Sequence, residues 1–147
     1  MEFANVIEWN PEWSPGAPCP QVFSDGHKVY VTYLANDDFD TPVLVTFNGG
    51  TFRFGIVNDE TISGHPLNKK GLKVYAAHVI ENSSWIAELK QIHRVHPMYS
   101  EKRWADKKHY LLFFHDQILE VIATGYQIEI SKLNRENLAL EVAKKLL

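Results

Sequence analysis

Val43-Leu44-Val45-Thr46-Phe47-Asn48-Gly49-Gly50-Thr51-Phe52-Arg53-Phe54-Gly55-Ile56-Val57 is the stretch on which the fold turns. β-Branched and aromatic residues flank Asn48-Gly49-Gly50 on both sides, the composition of strands. Asn-Gly is among the strongest short hairpin signals, because the central residues of a type I′ turn take positive φ. The sequence therefore predicts a hairpin of Val43 to Phe47 with Thr51 to Val57, and an antiparallel sheet around it.

Toward the N-terminus, Ser24-Asp25-Gly26 is a turn signal ahead of a strand from His27 to Leu34, and Asn36 to Asp40 is an acidic loop. Pro11, Pro15, Pro18 and Pro20 interrupt regular structure after a first strand from Phe3 to Trp9. Toward the C-terminus, residues 58–72 read as a loop containing Gly64, Pro66 and Gly71, followed by a strand from Lys73 to Ile80. The period then changes. Trp85, Ile86, Leu89, Ile92 and His93 share one helical face, capped by Asn82, Ser83 or Ser84 and ended by Pro97. His109 to His115 and Ile118 to Ile130 form a second hairpin around Asp116-Gln117, with Gly125 marking a bulge. Leu138, Val142 and Leu146 then make an apolar stripe on a helix starting near Asn134. Hairpin connections dominate. The expected fold is one α+β domain spanning 1–147, mostly antiparallel β as a curled sheet or small sandwich, with a middle helix and a C-terminal helix.

Composition excludes several classes. With 45% hydrophobic and 22% charged residues the chain is an ordinary globular sequence, not a disordered one. The longest apolar run, Tyr110 to Phe114, is far short of a membrane span. A single cysteine, Cys19, forms no intrachain disulfide, and with no apolar leader the expectation is a cytoplasmic protein. A net charge of −3 exerts no global pull on nucleic acid. The charge is uneven: residues 1–60 hold nine acids and two bases, and residues 61–147 hold nine acids and thirteen bases.

Six of the seven histidines lie between positions 65 and 115. Histidine titrates near neutrality and is the commonest metal ligand, so the stretch deserves weighing residue by residue. His93 and His96 share a helical face, but His93 also lies on the apolar stripe and reads as a packed side chain. Neither H-E-x-x-H nor a paired-cysteine zinc pattern is present, and no metal or cofactor is expected. His109 and His115 share strand parity but stand about 20 Å apart, at about 3.4 Å per residue. Leu111 and Phe113 between them turn that face toward the core. Asp116 beside His115 could orient an imidazole, but the favoured reading is an Asx turn in which Asp116 bonds its own backbone. His65, in a loop with Asp59, Glu60 and Ser63, reads as a turn residue bonded to backbone and is the first place to look for a site. Lys90, Arg94, Lys102, Arg103, Lys107 and Lys108 interleave with Tyr99 and Trp104, a mixture able to follow a phosphate backbone.

Ser63-Gly64-His65-Pro66-Leu67, Gly71-Leu72, Asn82-Ser83-Ser84-Trp85, His96-Pro97, His109-Tyr110 and Phe114-His115-Asp116, followed by Glu120 and Ala123, make the second half of the chain resemble a family of uncharacterised bacterial proteins. The first half is similar only around Gly16-Ala17-Pro18 and Tyr30 to Tyr33. The resemblance implies a stand-alone bacterial cytoplasmic domain and brings no catalytic residues.

With no complete catalytic motif, the expected function is a non-enzymatic binding or interaction module for a protein or small-molecule partner. Aromatic residues left exposed, such as Trp9, Trp13 and Phe39, would mark the partner site or a homo-oligomer contact. The alternatives are a hydrolase or metal-assisted enzyme using His65, His96, His115 and Asp116, and nucleic-acid binding through residues 90–108.

Overall fold

The computed structural model describes residues 1–147. Its strands are β1 (Phe3–Val6), β2 (Gln21–Ser24), β3 (Val29–Leu34), β4 (Pro42–Phe47), β5 (Thr51–Gly55), β6 (Ala77–Glu81), β7 (Lys108–Phe113), β8 (Ile118–Ala123) and β9 (Tyr126–Ile130). Helix α1 (Ser84–His93) lies in the middle and α2 (Arg135–Lys145) at the end, with 3-10 turns at Asp59–Gly64 and Glu101–Trp104. This is the expected α+β arrangement, with every strand pair antiparallel. One sheet runs β1-β6-β7-β8-β5 and the other β2-β3-β4-β9. No helix is long and apolar enough to cross a membrane.

The predicted hairpin at Asn48-Gly49-Gly50 does not form. β4 pairs with β3 and β9, whereas β5 pairs with β8 in the other sheet. Gly125 marks no bulge either: it carries the chain from β8 in one sheet to β9 in the other. The two crossings are bound together. Asn48 N–H donates to Gly125 C=O (2.9 Å) and Thr124 N–H to Asn48 C=O (3.2 Å). The register runs on across the corner, with Phe47 opposite Tyr126 on one side and Thr51 opposite Ile122 on the other. One long two-stranded ribbon therefore folds over and contributes to both sheets.

The glycines serve close approach there, not turn geometry. Positive φ among glycines occurs at Gly26 and Gly71, not at Gly49 or Gly50. A Cβ on Gly49 would lie 2.3 Å from Ile122 O, and one on Gly50 would lie 1.8 Å from Gly26 O. The β2–β3 turn, set by the Asp25 carboxylate accepting the His27 and Lys28 N–H groups, packs directly on the corner.

Strand alternation assigns three apolar layers. Tyr110, Leu112 and Phe114 face the inter-sheet core with Trp9, Trp13 and Phe47. Trp9 and Trp13 are thus buried and offer no partner surface, while Phe39 is exposed. The opposite face of the five-stranded sheet carries His109, Leu111 and Phe113. It does turn inward, but into a second core roofed by residues 57–74 through Leu67 and Leu72. The third layer is Leu138 and Val142 of α2 against Tyr30 and Leu44. Asn134 caps α2 by accepting the Asn137 N–H.

The strand predicted from Lys73 begins only at Ala77, because Tyr75 takes a left-handed backbone (φ 59). Helix α1 also departs from expectation. Its apolar stripe buries no residue fully, and Ile92 and His93 are exposed. His93 lies outside the core, but its Nδ1–H donates to Leu89 C=O at 2.8 Å and its ring meets Trp104 edge-on at 5.3 Å.

Candidate functional site

Glu120 is the charged residue of an otherwise apolar strand, Ile118-Leu119-Glu120-Val121-Ile122-Ala123. Its side chain is only 13% exposed. A carboxylate in that position must be compensated by its neighbours. Arg53 stands directly opposite on β5 and donates twice, from Nε at 2.7 Å and Nη2 at 3.0 Å. His109, on β7, places Nε2 2.8 Å from Oε1. Burial pushes the Glu120 carboxyl upward, but the hydrogen bonds from His109 and Arg53 prevail and hold it at about 2.

An ionised Glu120 only accepts, so His109 Nε2 carries a proton. In the neutral imidazole Nδ1 is then the lone pair, and Ser83 Oγ, 2.7 Å away, donates to it. The same oxygen accepts the Ile86 N–H (3.1 Å) as the N-cap of α1. Trp85, in the first turn, lies over the Arg53 guanidinium at 4.1 Å, and its ring meets His109 edge-on at 5.2 Å. Arg53, Glu120, His109 and Ser83 thus form one chain of hydrogen bonds from β5 to α1.

His65 lies beside this chain. A cleft of about 240 Å³ is lined by His65, Arg53, Gly55, Val57, Ile118 and Glu120. Gly55 leaves its floor open, since a Cβ there would meet nothing within 4 Å. His65 Nδ1 accepts the Leu67 N–H at 3.0 Å, the backbone bond expected of a turn residue. Burial lowers the His65 pKa, which keeps that nitrogen available as an acceptor.

Residues 90–108 build a separate groove of about 370 Å³. It is lined by His93, His96, Tyr99, Arg103, Trp104 and Lys107, with Leu89 of α1 and Thr51 of β5 among the others. The cations here divide into two sets. Lys90 (2.6 Å) and Arg94 (3.2 Å) are both taken by Glu101, whose carboxyl is held at about 2 by hydrogen bonds from Lys90, Tyr99 and Arg94. Arg103 and Lys107 have no carboxylate within 4.0 Å. Lys107 Nζ rests 5.0 Å from the Trp104 ring centre. His96 Nδ1 accepts the Met98 N–H (3.0 Å), so Nε2 is its remaining polar atom.

His115 and Asp116 occupy the β7–β8 hairpin tip, against the start of the 57–74 roof. Asp59 N–H donates to His115 C=O (3.1 Å), and Asp59 Oδ2 lies 3.3 Å from His115 Nδ1. Tyr75 donates its hydroxyl proton to the same carboxylate. Asp116 makes no Asx bond; its Oδ1 is 3.7 Å from His115 Nε2. No hydrogen bond or ion pair joins His65, His96 and His115, and each has different neighbours. Sequence reasoning gave Ser83 only as a helix cap, attached no role to Glu120 or Arg53, and discounted His109. The available signal was a charged residue within each of two strands otherwise free of charge, Arg53 in Thr51–Gly55 and Glu120 in Ile118–Ala123.

No protein-family model, curated protein or solved structure matches the chain.

Proposed function

We propose that the protein is a binding module that takes a small anionic ligand in the groove between α1, the Glu101–Trp104 turn and Thr51. One observation carries this reading: Arg103 and Lys107 line the groove without carboxylate partners, while the neighbouring Lys90 and Arg94 are neutralised by Glu101. A guanidinium and an ammonium lining one groove without carboxylate partners favour an anion, and His96 Nε2 adds a further polar group to that lining. A volume of about 370 Å³ sits at the small end of ligand pockets, roughly 300–1,000 Å³, which argues for a small molecule. The single cysteine supports a reducing, cytoplasmic setting. A hydrolase built from His65, His96, His115 and Asp116 has less support, because these side chains have separate partners.

The test is calorimetric titration with inorganic pyrophosphate at low salt. Each charge-assisted hydrogen bond contributes about 1.5–3 kcal/mol, so Arg103→Ala with Lys107→Ala weakens binding at least about 100-fold while Tm stays unchanged. Absence of binding by the wild type, or equal binding by the double variant, would refute the reading. A parallel arm with single-stranded oligo-dT asks whether the same cations serve nucleic acid; steeply salt-dependent binding of the strand, with none of pyrophosphate, would replace the small-ligand reading.

A further inference from the structure

We infer that Ser83 is a nucleophile activated by His109, giving the protein a covalent esterase-type activity beyond anion binding. The local fold presents the residue in a specific way. β6 ends at Glu81, Asn82 takes a left-handed backbone (φ 53), and Ser83 opens α1. This strand–turn–helix path sets the hydroxyl at a helix N-terminus, where the field favours negative charge on oxygen. A cavity of about 570 Å³ is lined by Ser83 and His109 together with Asn5, Ile86, Lys107 and Lys108.

The connectivity is that of a nucleophile, a general base and an orienting acid. Ser83 Oγ lies 2.7 Å from His109 Nδ1, and His109 Nε2 lies 2.8 Å from Glu120 Oε1. Glu120 and Arg53 are positioning residues: the carboxylate fixes the tautomer that leaves Nδ1 free to take a proton, and Arg53 fixes the carboxylate. Ser83 also caps α1 through the Ile86 N–H. Capping alone does not require this arrangement. A cap needs only an acceptor oxygen, which Asn or Asp supplies equally well. It does not call for an imidazole on the hydroxyl proton with a clamped carboxylate behind it.

The step balances without a cofactor. Ser83 Oγ bonds to the carbonyl carbon of an ester while its proton passes to His109 Nδ1. The ester C–O bond breaks, and the leaving oxygen takes that proton and departs as an alcohol. Water then adds to the acyl carbon as His109 Nδ1 accepts its proton; the acyl–Oγ bond breaks, Ser83 Oγ takes that proton back, and a carboxylic acid is released. Lys107 and Lys108 at the cavity direct the choice toward esters that carry a negative charge. Lys107 also lines the groove, so a substrate anchored there could extend toward Ser83.

The experiment is incubation of the folded protein with a fluorophosphonate probe, read by intact mass and peptide mapping. A single adduct on Ser83 is expected. Ser83→Asn, which keeps a capping oxygen, abolishes it, and His109→Gln slows it at least about 100-fold. No adduct on the wild type, an adduct elsewhere, or an unchanged rate in His109→Gln would overturn the inference. The wild-type result decides even if a variant fails to fold. Failure of the anion-groove reading is distinguishable, because pyrophosphate titration reads the groove without the probe and the Ser83 adduct reads the nucleophile without pyrophosphate.

Discussion

Replacing Glu120 by Gln tests whether the β5-to-α1 hydrogen-bond chain stabilises the fold. The carboxyl moves from 4.5 to about 2 on folding, with burial opposing and the His109 and Arg53 hydrogen bonds prevailing. At about 1.4 kcal/mol per pH unit, that preference for the ionised form contributes about 3 kcal/mol at neutral pH. Because the folded-state value is the lower one, the contribution is fully present above about pH 5 and is lost as pH falls toward 2. Other carboxylates titrate over the same range, so the informative quantity is the difference between wild type and variant. Urea unfolding at pH 7, 5, 4 and 3 should show Glu120→Gln less stable by about 3 kcal/mol at pH 7, with the gap closing as the buffer is acidified. A gap that is absent at pH 7, or that stays constant down to pH 3, would show that the bidentate pair and the imidazole contact do not stabilise the ionised carboxyl.

Three further outcomes follow from the packing. His78 is fully buried, with Nδ1 3.1 Å from Leu111 C=O and Nε2 accepting the Lys73 N–H at 3.0 Å, and burial lowers its pKa from 6.5. Its neutral form therefore stabilises the fold above about pH 6.5, and this is lost as pH falls through the folded-state value; an imidazole NMR titration should place the His78 midpoint below the ordinary 6.5, and a midpoint at or above it would refute the assignment. Gly50→Ala should fail to give folded protein, since its Cβ would lie 1.8 Å from Gly26 O, whereas Gly55→Ala should leave Tm nearly unchanged because its Cβ meets nothing within 4 Å. Phe114→Ala empties a fully buried site packed on Trp13 and Tyr33 and should cost about 3–5 kcal/mol in urea unfolding; a loss below about 1 kcal/mol would mean the inter-sheet core rearranges to fill the space.

Local chemistry accounts for what could be read in advance. The 3.6-residue periods around Trp85 and Leu138 carry α1 and α2, and the Asp25-Gly26 turn joins β2 to β3, because those signals act within a few residues. Asn48-Gly49-Gly50 misled for a physical reason. A glycine pair permits positive φ and it also permits backbone to approach backbone; only the tertiary position of Gly26 and Ile122 distinguishes the two. The same limit hid the site. Strand arithmetic correctly separates His109 from His115, but the partners of His109 come from elsewhere. Glu120 reaches it diagonally across the β7–β8 ladder, where His109 faces Ile122, and Ser83 reaches it from the start of α1. No spacing along a single strand contains that information.

The folded ribbon explains why these groups share one surface. Because β5 leaves β4's sheet at the corner, it becomes an edge strand whose outward residues are Thr51, Arg53 and Gly55, about 7 Å apart in succession. Thr51 lines the anion groove, Gly55 lines the His65 cleft, and Arg53 stands between them. Arg53 is clamped to Glu120 on one side and covered by Trp85 on the other. Helix α1 has no fully buried residue to hold it, so this stack, the Ser83 cap and the Glu2 carboxylate that accepts the Ser84 N–H fix its first turn on the sheet. The far end of the same helix supplies Leu89 and His93 to the groove wall. Loosening Arg53 or Glu120 should therefore blur the groove at a distance, weakening anion binding in variants that retain Arg103 and Lys107.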